Sequence, residues 1–135
     1  MISKIVIFTD LDGTLLHNKT FKFENIRQYI KNLLSKNISI IPNSSKTKAE
    51  ILNFCQELEE ELPFIVENGA AIYKMNLVNS DFPEKIILSR DKDEILNVFF
   101  KKIPKELISK CKFVLKLKKD EQLKIFGLSE KQLSY

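Results

Sequence analysis

No apolar run in this 135-residue chain approaches the roughly twenty residues that a membrane-spanning helix needs. The N-terminus offers one lysine and then Ile5-Val6-Ile7-Phe8 before Thr9-Asp10. That is too short for the core of a secretory signal, and no small-residue cleavage site follows. A cytoplasmic location without a membrane partner is therefore expected. Cysteine is scarce. Cys55 and Cys111 have no CxxC spacing and no neighbouring histidine, which points to two reduced thiols rather than a disulfide or a zinc site. Arginine is scarcer than lysine: Arg27 and Arg90 are the only two. Arginine is the preferred reader of guanine edges and the preferred bidentate partner of phosphate, and no aromatic–basic interleaving suggests base stacking. Charge is nonetheless uneven. Residues 1–70 carry 8 basic and 9 acidic side chains, whereas residues 71–135 carry 14 and 9. The lysine excess reads as a solvated face, and no nucleic-acid partner is expected. There is no internal repeat and no linker rich in proline, glycine or serine.

What is present is an ordered alternation. Apolar residues make up 44% and charged residues 30%, the balance of a globular domain with a real core. Ile5–Thr9 has the look of a strand buried on both faces. Glu24–Ser35 places Ile26, Tyr29, Ile30, Leu33 and Leu34 at helical spacing, and Asn37 suits the left-handed residue that ends a helix. Ile38–Ile41 is a second strand, stopped by Pro42. Thr47-Lys-Ala-Glu50 has the spacing of a capping box and opens a helix with Ile51, Leu52, Phe54, Cys55 and Leu58 on one side. Phe64–Val66 is a third strand, followed by the turn signal Glu67-Asn68-Gly69. Strands recurring at roughly thirty residues with helices between them predict right-handed βαβ units and a parallel sheet. Ligands of such sheets bind beyond the carboxyl ends of the strands. Asp10, Pro42-Asn43-Ser44 and Glu67-Asn68-Gly69 all fall there. Beyond Gly69 the pattern changes. Strands are expected over Ala70–Met75, Lys85–Ser89 and Lys112–Leu117, and helices over Asp91–Ile103, Pro104–Ser109 and Asp120–Phe126, with another opening at Ser129.

Asp10-Leu-Asp12-Gly-Thr14 concentrates the chemistry. Two carboxylates at a strand end repel each other unless protons or a cation compensate. A hard divalent ion such as Mg²⁺ does so through oxygen ligands. One carboxylate can then act as nucleophile and the other as acid and base. Gly13 permits a sharp turn and lets backbone N–H groups come close to a phosphate, with Thr14 beside it. A calcium loop of the EF-hand type fails the spacing, because its glycine and glutamate positions hold Leu15 and Phe21. His17 reads as an exposed loop residue. Asp91-Lys-Asp-Glu94 reads as a helix start rather than a metal site.

The stretch "FTDLDGTLL" resembles the first motif of the haloacid dehalogenase-like phosphohydrolases. "NSSKTKAEI", followed by "LPFIVENGAAIY", is similar to the mannosyl-3-phosphoglycerate phosphatase branch, relatives of the Cof-type sugar phosphatases. The resemblance covers residues 5–73 well and 74–135 loosely, most visibly at "IFGLSEKQ". It implies an α/β fold: a Rossmann-like parallel sheet over residues 1–73, and the beginning of an inserted α+β cap over residues 74–135. It implies a Mg²⁺-dependent phosphatase acting on a small phosphorylated sugar or glycerate. Asp10 would attack phosphorus, and Asp12 would protonate the leaving oxygen and then activate water. Mg²⁺ would sit on the Asp10 side chain and the Asp12 backbone carbonyl. Ser44, Ser45 and Lys46 stand where the branch has Thr-Ser-Lys, and would contact phosphate or a substrate carboxylate. Asn68 and Gly69 would touch substrate at the rim.

The resemblance also carries departures. The family's third-motif lysine and its Gly-Asp-x-x-Asn-Asp cluster follow the cap, and this sequence contains neither. Without the strands that come with them, Ile5–Phe8 is expected to be an apolar edge. The chain is then a fragment of a longer enzyme, or that edge is covered by self-association or by a second polypeptide. The alternative functional reading is a catalytically weak or inactive module that binds phosphate or a sugar phosphate.

Overall fold

The structure, a computed structural model, describes residues 5–111 together with 117, 118, 120 and 121. It resolves into two compact units, Met1–Ser89 and Arg90–Tyr135.

The first unit begins with β1 (Ile5–Thr9), α1 (Glu24–Ser35), β2 (Ile38–Pro42), α2 (Lys48–Leu58) and β3 (Phe64–Val66). β1 and β2 pair in parallel, with Ile5 opposite Ile38 and Thr9 opposite Pro42. A parallel bridge between Asn43 and Ile65 continues the same direction towards β3. β3, β4 (Ala71–Tyr73) and β5 (Lys85–Ile87) form an antiparallel three-stranded sheet in that order. β4 is shorter than the run Ala70–Met75 suggests. Lys74 takes a φ of 57°, which breaks the extended backbone, and a 3₁₀ turn occupies Met75–Leu77.

Local chemistry sets the helix limits. Phe23 enters α1 without a side-chain cap but is buried in the core, so packing fixes the start. Asn37, with φ 61°, follows the helix and donates its N–H to the Leu34 carbonyl. In α2 the capping box is complete. Thr47 Oγ1 accepts the Glu50 N–H, and Glu50 Oε2 accepts the Thr47 N–H at 2.8 Å. α2 ends at Glu59, a left-handed residue with φ 62°.

The core is built from Ile30 of α1, Ile40 of β2, Ile51, Phe54 and Leu58 of α2, and Phe64 and Val66 of β3, with Leu11 and Leu16 from the turn after β1. Phe23 meets Phe54 edge to face at 5.0 Å between ring centres. Ile26, Leu33 and Leu34 pack against this cluster, whereas Tyr29 stays exposed at the margin of the helix stripe. β1 differs from the doubly buried strand its sequence suggests. Ile5, Val6, Ile7 and Phe8 are all exposed, because β2 is β1's one strand neighbour among the described residues.

The second unit holds α3 (Lys92–Lys102) and α4 (Lys105–Ile108). Asp91 caps α3 by accepting the Asp93 N–H at 2.8 Å, so the acidic run marks a helix start. Residues 112–116, 119 and 122–135 lie outside the described residues, and with them most of the strand expected to Leu117 and of the last two helices. Among the described residues no helix is long and apolar enough to cross a membrane.

Candidate active site

The first carboxylate pair owes its placement to the residue between. Leu11 is fully buried, and its side chain belongs to the core cluster. Anchoring Leu11 inward leaves Asp10 and Asp12, its neighbours on either side, exposed at the end of β1. The chain then turns back at once. The Leu11 carbonyl accepts the N–H of Thr14 at 3.1 Å and of Leu16 at 2.8 Å, and the Gly13 N–H donates to the Leu16 carbonyl at 2.8 Å. Gly13 has φ 75°, a conformation that a side chain disfavours. The amides of Gly13 and Thr14 are thus engaged inside the turn. What these two residues supply is the shape that presents the carboxylates.

Three loops meet at this end of the strands, joined through backbone. The Asn43 N–H donates to the Thr9 carbonyl at 2.8 Å, linking the exits of β1 and β2. The Ser44 N–H donates to the Ile65 carbonyl at 3.2 Å, and the Ser44 carbonyl accepts the Asn68 N–H at 3.1 Å. The Lys46 carbonyl accepts the Glu67 N–H at 3.0 Å. Ser44 is buried, and its hydroxyl oxygen accepts the Lys46 N–H at 3.2 Å. Ser45 is exposed beside it. Glu67, Asn68 and Gly69 take φ values of 51°, 57° and 96° in succession, and the Gly69 N–H closes onto the Val66 carbonyl at 3.0 Å. Asn and Gly tolerate this left-handed backbone; Glu67 does so at some strain.

Lys46 reaches across the rim. Its Nζ lies 3.1 Å from Asp12 Oδ1 and 3.7 Å from Glu50 Oε1, and its side chain is only 16% exposed. The Phe21 ring covers it at 5.1 Å, a distance at which an ammonium is attracted to the ring face. Lys46 is therefore a held ammonium at the carboxylate pair and not a solvated first-turn lysine. Two contributors escape a reading of the sequence. Glu50 shows there only as the capping residue of α2, yet its second oxygen faces Lys46. Phe21 lies in a connection that reads as polar, and it adopts φ 55°. A lone aromatic within a polar loop was the available signal. His17 is exposed, and its Nδ1 accepts the N–H groups of Lys19 and Thr20 at 3.3 Å, which braces the loop.

The donors suit a hard cation: the Asp10 and Asp12 carboxylates are exposed oxygen donors at a common turn. Among the described residues no group of three or more His, Cys, Asp or Glu side chains could hold a metal ion.

A family model described as haloacid dehalogenase-like hydrolase matches residues 7–126. A glucosyl-3-phosphoglycerate/mannosyl-3-phosphoglycerate phosphatase of Persephonella marina is 45% identical over 69 residues, 51% of this chain and 26% of that protein. Its counterpart from Methanococcoides burtonii is 46% identical over 70 residues, 52% of this chain and again 26% of the relative. The chain thus matches about a quarter of the length of these curated relatives. Among solved structures, a haloacid dehalogenase-like hydrolase from Bacteroides thetaiotaomicron superposes with a TM-score of 0.57 at 20% identity, over 72% of this chain and 36% of its own. One from B. subtilis superposes with a TM-score of 0.51 at 22% identity, over 71% of this chain and 32% of its own. At these identities the superpositions speak for the fold alone.

Proposed function

Because the chain belongs to the haloacid dehalogenase-like hydrolases, we propose that it carries the nucleophile side of a Mg²⁺-dependent phosphatase site for a sugar phosphomonoester of the mannosyl-3-phosphoglycerate kind. The observation that supports this most is the rim itself: Asp10 and Asp12 at the end of β1, beside Ser44, Lys46 and Asn68 from two other loops.

In this reading an Asp10 carboxylate oxygen attacks phosphorus and the bond from phosphorus to the sugar oxygen breaks. Asp12 gives its proton to the departing oxygen. Water then attacks the aspartyl-phosphate, Asp12 takes a proton from it, and the bond to Asp10 breaks to release phosphate. The Ser44 hydroxyl and the Lys46 ammonium hold phosphoryl oxygens or a substrate carboxylate. Ser45, Asn68 and Gly69 border the sugar, while Gly13 and Thr14 shape the nucleophile turn. Mg²⁺ would be held by the Asp10 side chain and the Asp12 carbonyl, and would supply charge neutralisation for nucleophile and phosphate. The division into a core over residues 1–73 and a cap segment over 74–135 belongs to the same proposal, as does a cytoplasmic site of action.

The test is phosphate release from mannosyl-3-phosphoglycerate and other sugar phosphates with Mg²⁺. Activity abolished by Asp10→Asn is expected, and activity that survives that substitution refutes the assigned nucleophile. A second reading, binding of the phosphate ester without turnover, is favoured by one observation: the carboxylate pair has no third acidic partner among the described residues. Calorimetry separates the two, since saturable binding without phosphate release supports the second alone.

A further inference from the structure

The loop that carries Phe21 hangs on one residue. His17 Nδ1 accepts the N–H groups of Lys19 and Thr20, both at 3.3 Å. The main chain of His17 adds two more bonds. Its N–H donates to the Lys22 carbonyl at 3.0 Å, and its carbonyl accepts the Phe21 N–H at 2.8 Å. Inside this knot Phe21 takes a φ of 55°, a left-handed backbone that an aromatic residue rarely adopts. Such a conformation persists only where its surroundings impose it. The core does not impose it, since Phe21 is 53% exposed. The bonds to His17 do. Phe21 in turn lays its ring 5.1 Å from the Lys46 ammonium, which sits 3.1 Å from Asp12 and 3.7 Å from Glu50.

We propose that His17 is a positioning residue: acting through Phe21, it holds Lys46 at the Asp12 carboxylate while its ring is neutral and releases it when the ring is protonated. The chemistry is that of an acceptor. A neutral imidazole has one nitrogen free to accept hydrogen bonds, whereas the protonated ring carries hydrogen on both nitrogens and accepts none. Protonation therefore breaks both bonds to Nδ1 and sets a positive ring against two N–H dipoles. The loop loses the side-chain half of its ties to His17, and with it the constraint on Phe21. Histidine is the side chain that ordinarily changes charge between about pH 5 and 8, and His17 is the only one in the sequence.

His17 is exposed and borders a cavity of about 360 Å³. Two charged residues line that cavity with it, Lys22 of the loop and Glu24 of the first turn of α1. The turn after β1 contributes Thr14 and Leu15, which carry no charge. Lys19 stands beside the ring on the loop itself. The sense of the device follows from Nδ1: Lys46 is held at higher pH and released as pH falls. The inference deepens the proposed function, because Lys46 is the ammonium assigned there to phosphoryl oxygens or a substrate carboxylate. Its test reads the position of Lys46 without substrate or turnover, so its failure and the failure of the phosphatase reading are separate results.

The full chain is trace-labelled with isotopic acetic anhydride at a series of pH values. The rate at Lys46 is divided by that at exposed Lys36, which cancels the pH dependence common to amines. From about pH 8 to about pH 5.5 the ratio should rise by at least about threefold, starting from a side chain only 16% exposed. Its midpoint should match the titration of the His17 ring followed by NMR. His17→Asn puts an oxygen near the place of Nδ1 that accepts but does not titrate, so Lys46 should stay slow throughout. His17→Leu and Phe21→Ala should make Lys46 fast throughout. A ratio that ignores the titration of His17 overturns the proposal. So does a His17→Asn chain whose Lys46 is fast at either pH, which assigns the response to groups other than the ring. A Lys46 that stays slow in His17→Leu or in Phe21→Ala overturns it equally.

Discussion

Removing the charge on Lys46 probes the site without touching the sheet. Its ammonium sits 3.1 Å from Asp12, with the lysine side chain 16% and the aspartate side chain 40% exposed. At about 4 Å two unit charges near a protein surface attract by roughly 4 kcal/mol before desolvation and side-chain ordering are counted. Those opposing effects reduce exposed pairs to about 0.2–1 kcal/mol net. The sheltered ammonium under Phe21 places this pair at the upper end, about 1 kcal/mol. A double-mutant cycle of Lys46→Met and Asp12→Asn, read by urea unfolding, should return that coupling at low salt. It should fall to about half between about 0.05 and about 0.5 M salt, as screening requires. Lys46→Met alone should destabilise by more than the coupling, because Asp12 and Glu50 then face one another without a cation. A coupling below about 0.2 kcal/mol at both salts, or one indifferent to salt, refutes the claim that the carboxylate pair and Lys46 form one electrostatic unit.

Gly69→Ala should lower stability by about 1–2 kcal/mol, seen as a lower urea midpoint; nothing lies within 4 Å of the added Cβ, so the loss is the φ of 96° alone, and an unchanged midpoint refutes it. Burial in the core pushes the Cys55 thiol above its ordinary value of 9.0, whereas Cys111 is exposed. One equivalent of iodoacetamide at neutral pH should therefore modify Cys111 and spare Cys55, which peptide mapping checks. A raised folded value means that the buried thiol's stabilisation is complete below pH 9.0 and is lost as pH climbs through the folded value. Cys55→Ala should thus flatten the fall in stability above pH 9.0, followed by unfolding at several alkaline pH values.

The elements of the first unit were legible because their signals are local. The β-branched run of β1, the helical stripe of α1 and the Thr47–Glu50 box of α2 each specify a segment without reference to the rest. Limits were legible where one residue type dominates, as at Asn37. They were not legible at Lys74, whose positive φ ends β4 although lysine carries no such preference. The arrival of three loops at one rim followed from the parallel topology. The Lys46–Asp12 contact did not, because it joins residues from different loops through long side chains, and no spacing rule encodes that. Phe21 was hidden for a related reason: its value lies in the ammonium it shelters and not in any core it helps to fill.

The stitching of the rim has a consequence for how this surface can change. The contacts among the exits of β1, β2 and β3 run through main-chain N–H and C=O groups at Thr9, Asn43, Ser44, Ile65, Lys46, Glu67 and Asn68. Main-chain groups are the same in every residue but proline. The scaffold of the site is thus largely indifferent to which side chains stand on it. Exposed positions such as Asn43 and Ser45 can be exchanged with little effect on the frame that presents Asp10 and Asp12. A frame of this kind lets the side chains displayed on the rim change while the Asp10 and Asp12 carboxylates stay where they are.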